Sequence, residues 1–89
     1  MLRIIQSDSV SVTLIALEGK LLHPWVDEVK GAVAAARSAG LVRLDLAQLS
    51  FADEAGIALL RELNAGGVEL TGRSAFLRAL MAKEPIQSH

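Results

Sequence analysis

The run with the most chemistry in it is Asp53-Glu54-Ala55-Gly56, two carboxylates and two small residues where a helix is expected to begin. A carboxylate at Asp53 can accept the free N–H groups of a first helical turn. Glu54 in that turn suits the positive end of the helix dipole. Asp45 ends an apolar run further upstream. Paired with Asp53 it could serve acid–base chemistry. No histidine, lysine or glycine-rich loop supports that use, and capping of the next loop is the simpler role for Asp45. His23 stands before Pro24 and Trp25, alone, and is expected to be solvated or capping. Gly66-Gly67 is not followed by Lys-Ser/Thr, so it is a turn and not a phosphate loop. N–H groups at the Asp53 helix start could face an anion, but Asp53 and Glu54 repel one. No cofactor, metal site or catalytic residue is expected.

Composition narrows the class. The chain has 89 residues, 52% of them hydrophobic, which fits one packed domain spanning 1–89. A net charge of −1 lacks the basic footprint of a nucleic-acid binder. Phe51, Phe76 and Trp25 are the aromatics, too few for a base-stacking platform. Without cysteine there is no disulfide, thiolate nucleophile or Cys-based zinc site. Polar residues fall too early for a signal-peptide core, and no apolar run has the length of a membrane span. A cytoplasmic protein without direct membrane insertion is expected.

The elements that would position the Asp53 run follow from periodicity. Leu2 to Gln6 reads as an edge strand, Ser7-Asp8-Ser9 as a turn, and Val10 to Leu17 as a second strand ended by Gly19. Val10, Val12, Leu14 and Ala16 share one face of that strand; Ser11, Thr13, Ile15 and Leu17 share the other. Gly19 to His23 reads as a loop. Pro24 opens a helix with Trp25, Val29, Ala32, Val33 and Ala36 on one face, acids in its first turn and Gly40 as its cap. Trp25 is expected in the core or at its rim. Leu41 to Leu46 is a third strand, and a helix from Asp53 to Asn64 follows. Val68 to Thr71 is a short strand near an edge. A last helix runs from Ser74 or Arg73 to Lys83, carrying Phe76, Leu77, Leu80 and Met81, and Pro85 stops it ahead of a loose tail that holds His89. The expected order is β-β-α-β-α-β-α: a four-stranded, mostly parallel sheet with an antiparallel edge strand and helices. Strands separated by helices run parallel and connect right-handedly.

The segment Asp45-Leu-Ala-Gln-Leu-Ser-Phe-Ala-Asp-Glu-Ala-Gly-Ile57 resembles the signature of STAS domains. This is the fold of anti-sigma factor antagonists and of the cytoplasmic tails of sulfate transporters. Leu17-Glu-Gly19 and Lys20-Leu21 partly match an upstream family segment, and the element order fits over nearly the whole chain. In the members that work as a phosphoswitch, a partner kinase that is also the anti-sigma factor phosphorylates the serine before the motif glycine. By that resemblance Asp53 is the motif aspartate, Glu54 the first serine, Ala55 the phosphorylated serine and Gly56 the glycine. Ala55 has no hydroxyl, so that phosphorylation has no acceptor. Leu22 stands where many members carry an aspartate near the partner surface.

The resemblance implies a protein–protein interaction module of the anti-sigma-antagonist type, active in transcription signalling, and not an enzyme. Its partner would be an anti-sigma factor of the serine-kinase kind. The alternative is a small STAS subunit that supports the ATPase of an ABC transporter. The expected partner-binding residues are Leu22, His23, Phe51, Asp53, Glu54, Ala55 and Gly56. Leu21 and Leu22 add a sequence-level hint, because in a consecutive apolar pair one side chain plugs the core and the other is exposed. Glu54 beside the missing acceptor copies a phosphate poorly, with one charge instead of two.

Overall fold

The computed structural model describes residues 2–72 and 75–82, with only the backbone of residues 76 and 80–82. The expected helix start at Arg73 or Ser74, the apolar roles of Phe76, Leu80 and Met81, the stop at Pro85 and the tail with His89 lie outside the described residues. Strands β1 (Leu2–Asp8) and β2 (Val12–Leu21) form an antiparallel hairpin with Leu2 opposite Gly19 and Asp8 opposite Thr13. Helix α1 (His23–Arg37) leads to β3 (Leu41–Asp45), which pairs parallel to β2 with Val12 opposite Leu41. Then come β4 (Leu49–Ala52), α2 (Glu54–Ala65), β5 (Glu69–Thr71) and α3 (Ala75–Ala82). The sheet has five strands in the order β1-β2-β3-β5, with β4 pairing β2. The expected mixed sheet, its antiparallel edge strand and the edge position of the last strand all hold.

Strand β4 corrects the expected four-stranded count. Its cause lies in β2, which does not end at Gly19. A strand has two edges. β1 occupies one edge of β2 from Thr13 to Gly19, and β3 takes the first half of the other. Beyond Ala16 that second edge would carry unpaired backbone groups. Leu49–Ala52 fills it in parallel, Lys20 opposite Phe51 and Leu21 opposite Ala52, after a register shift between Gly19 and Lys20. Gly19, at φ 105°, supplies the backbone conformation that this irregularity needs.

Burial also decides which face of β2 is inward. Thr13, Ile15, Leu17 and Leu21 are buried, whereas Val10 and Leu14 are exposed. Val10 lies in the β1–β2 turn and not on the strand. The helices cover the face that carries Ile15, Leu17, Val42, Leu44 and Leu70. On α1 the stripe Val29, Val33 and Ala36 is buried, and Trp25 is half-buried against the core. On α2, Ile57, Leu59, Leu60 and Leu63 are buried. Each fully buried Leu or Ile contributes roughly 1.5–3 kcal/mol relative to exposure. The other face presents Ile5, Leu14 and Leu41 between two ion pairs, Arg3–Glu18 (3.7 Å) and Arg43–Glu69 (2.9 Å).

Two helix ends differ from expectation. α1 begins at His23, one residue early, which moves Asp27 and Glu28 out of its first turn. It closes at Ser38 and not at Gly40, because the Ser38 hydroxyl donates back to the Ala35 carbonyl at 2.7 Å. Arg37 then donates to the Gly66 carbonyl at the far end of α2, tying the two helix ends together.

Candidate functional site

The Asp53 run lies where β4 hands over to α2, beside the junction of β2 and α1. Asp53 caps α2 as the sequence predicts: its Oδ1 accepts the Gly56 N–H at 2.9 Å. Its second oxygen does something the sequence does not announce. Oδ2 accepts the N–H of His23, the first residue of α1, at 2.8 Å. Leu22 occupies the cap position of α1 and has no side-chain acceptor, so α1 takes its cap from a distant loop. One carboxylate thus serves two helix starts.

The backbone joins the same two segments. The Asp53 N–H donates to the Leu21 carbonyl at 3.1 Å. Gly56 is buried against that carbonyl. A Cβ at position 56 would stand 2.5 Å from the Leu21 oxygen and 3.2 Å from the Ala52 Cβ. The glycine is therefore required by inward packing. Ala55 beside it is half-buried, and Glu54 is exposed. Leu21 is the core plug of the Leu21-Leu22 pair, and Leu22 is half-buried. Phe51 is 38% exposed on β4, across from exposed Lys20. The structure brings Leu22, His23, Phe51, Asp53, Glu54 and Ala55 to one end of the sheet and turns Gly56 inward.

Electrostatics follow from these contacts. The Gly56 N–H holds the Asp53 carboxyl below its ordinary value, helped by the N–H and charge of His23 and opposed by partial desolvation. A base so weakened takes a proton poorly near neutral pH, and both of its oxygens already accept backbone N–H groups. Asp45 is occupied in a structural way too: its Oδ1 accepts the Ala47 N–H at 3.0 Å. Among the described residues no group of three or more His, Asp or Glu could hold a metal ion. No described helix is long and apolar enough to cross a membrane.

Sequence reasoning singled out Leu21 as a possible core plug but missed its backbone role, and it missed the place of Lys20 and Ser50 beside the site. Leu21 supplies the carbonyl that Asp53 binds, and the Ser50 hydroxyl donates to the Gly19 carbonyl at 2.9 Å, pinning β4 at the register shift. The signal was present: Ile15, Leu17, Gly19 and Leu21 continue a period of two past the glycine, which marks a strand running on. At the other end of the sheet an open pocket of about 370 Å³ lies between the β1–β2 turn and the end of α1, and Asp8 is its one titratable lining residue.

With this geometry in place, comparison with solved structures identifies the fold as that of STAS proteins. The unphosphorylated anti-sigma factor antagonist SpoIIAA matches with a TM-score of 0.67 and 22% identity, over 98% of this chain and 90% of that one. The phosphorylated form of SpoIIAA, a Bacillus cell fate determinant, matches with a TM-score of 0.65 and 22% identity, over 90% of this chain and 81% of that one. The structure of Mglu matches 74% of this chain with a TM-score of 0.60 and 24% identity, but only 18% of its own length is involved. No family profile and no curated protein sequence matches.

Proposed function

We propose that this chain is a protein-binding module of the anti-sigma-antagonist type, working in the cytoplasm in transcription signalling, and that phosphorylation at the start of α2 does not control it. The supporting observation is the junction of the β2–α1 turn with the β4–α2 turn, placed in a fold shared with SpoIIAA. Leu22, His23, Phe51, Glu54 and the half-buried Ala55 form the contact surface. Asp53 and Gly56 shape it from within. Position 55 carries no hydroxyl, so the surface has no phosphate acceptor there. A half-buried leucine and an exposed phenylalanine offer apolar anchors beside the Glu54 charge, a combination suited to a protein partner.

The test is calorimetric titration of the chain with an anti-sigma factor of the serine-kinase kind, with and without ATP. Binding is expected in both conditions at the same affinity. Leu22→Asp and Glu54→Lys should each weaken it by about tenfold or more. Ala55→Ser should introduce ATP-dependent phosphate incorporation and loss of binding. Unchanged affinity in both surface variants would show that the partner sits elsewhere. Binding only to the ATPase of an ABC transporter would replace this reading with that of a transporter subunit.

A further inference from the structure

We propose that Asp53 is a conformational latch that makes the starts of α1 and α2 one cooperative unit. Its N–H, its carbonyl and both carboxylate oxygens are all engaged. The N–H donates to the Leu21 carbonyl (3.1 Å), and the carbonyl accepts the Ile57 N–H (2.8 Å). Oδ1 accepts the Gly56 N–H (2.9 Å) and Oδ2 the His23 N–H (2.8 Å). Two of these bonds hold α2, and two reach across to the β2–α1 junction. Each side of the latch therefore has one backbone bond and one carboxylate bond. α1 has no side-chain cap of its own, because the Leu22 side chain cannot accept a hydrogen bond. Opening either side at the carboxylate leaves a helix N–H without its partner.

The latch depends on a carboxylate and on a glycine. The His23 and Gly56 N–H groups bond different carboxylate oxygens, and in Asn an NH2 donor replaces one of these, so it would face one of the two N–H groups donor to donor. Any Cβ at position 56 would displace the Leu21 carbonyl, the acceptor of the Asp53 N–H. The device is a property of the free chain and does not rest on the binding reading. Its consequence for any partner is preorganisation: two loops held as one present a surface that costs less to order on binding.

Nuclear magnetic resonance of the isotopically labelled full chain tests this directly. In the unmodified protein, scalar couplings across hydrogen bonds should link both the His23 and the Gly56 amide nitrogens to the one Asp53 Cγ. Coupling to only one of them overturns the latch, and this measurement needs no variant to fold. In Asp53→Asn one of the two bonds is lost, and because the two helix starts open together both amides should exchange about tenfold faster; faster exchange at one amide alone overturns the latch. Asp53→Ala should release both. Unchanged protection of both amides in Asp53→Asn also overturns the proposal.

Discussion

At the scale of single residues, two glycines in helices carry opposite consequences. Gly56 is buried, and a methyl group there meets the Leu21 carbonyl at 2.5 Å. Gly56→Ala should lower stability by about 1–3 kcal/mol, seen as a lower denaturant midpoint at unchanged slope. Gly31 lies inside α1, exposed, with no atom of another element among the described residues within 4 Å of an added Cβ. Gly31→Ala should raise stability by about 0.5–1 kcal/mol, because only the conformational freedom of the unfolded chain changes. If Gly56→Ala raises the midpoint as Gly31→Ala does, the packing assigned to Gly56 is wrong. Asp53 carries a pH dependence of known sign. Its carboxyl is depressed below 3.8 in the folded chain, chiefly by the Gly56 N–H. Its contribution to stability is therefore complete above the ordinary aspartate value and is lost as pH falls through the folded one. Denaturant titrations at a series of acid pH values should show this loss, and Asp53→Asn should remove that part of the pH dependence.

At the scale of elements, β3 gives the sharpest contrast. Leu44 points into the core and is fully buried, while Leu41, on the uncovered face, is 68% exposed. Leu44→Ala should cost about 2–5 kcal/mol. Leu41→Lys should stay within about 0.5 kcal/mol. Thermal or urea unfolding of both variants checks the assignment of faces, and a costly Leu41→Lys would reverse it. β4 depends on non-local support: four residues long, it pairs with the last part of β2, with the Ser50 hydroxyl anchoring it to Gly19. Ser50→Ala removes that anchor and should move the resonances of Phe51 and Lys20 more than those of β3.

At the scale of the whole molecule, one core runs from Leu2 on β1 to Leu77 on α3. Trp25, the chain's one tryptophan, is half-buried against it. Unfolding followed by its fluorescence should coincide with unfolding followed by circular dichroism, as a single cooperative domain requires. Separate transitions would show that the chain is not one folding unit.

What the sequence determined by itself is local. The Asp53 cap on α2 spans three residues, the buried stripes of α1 and α2 repeat at helical spacing, and the Asp45 cap of its own loop spans two residues. Neighbouring positions along a chain meet whatever the topology, so residue type and spacing suffice to read such contacts. The connectivity of the parallel strands was legible for a similar reason, since a helix between two strands of one sheet forces a crossover. The tertiary structure alone decided which face of β2 is covered, that Leu49–Ala52 becomes a strand, and that the second oxygen of Asp53 caps α1. Alternating apolar residues lie on both faces of β2, and only the docked helices remove one set from water. β4 exists because β2 leaves part of an edge open. The His23–Asp53 bond joins positions thirty residues apart. At the sequence level the Asp53 run is a helix start without a phosphate acceptor; folded, it is the point where two helix starts share one carboxylate.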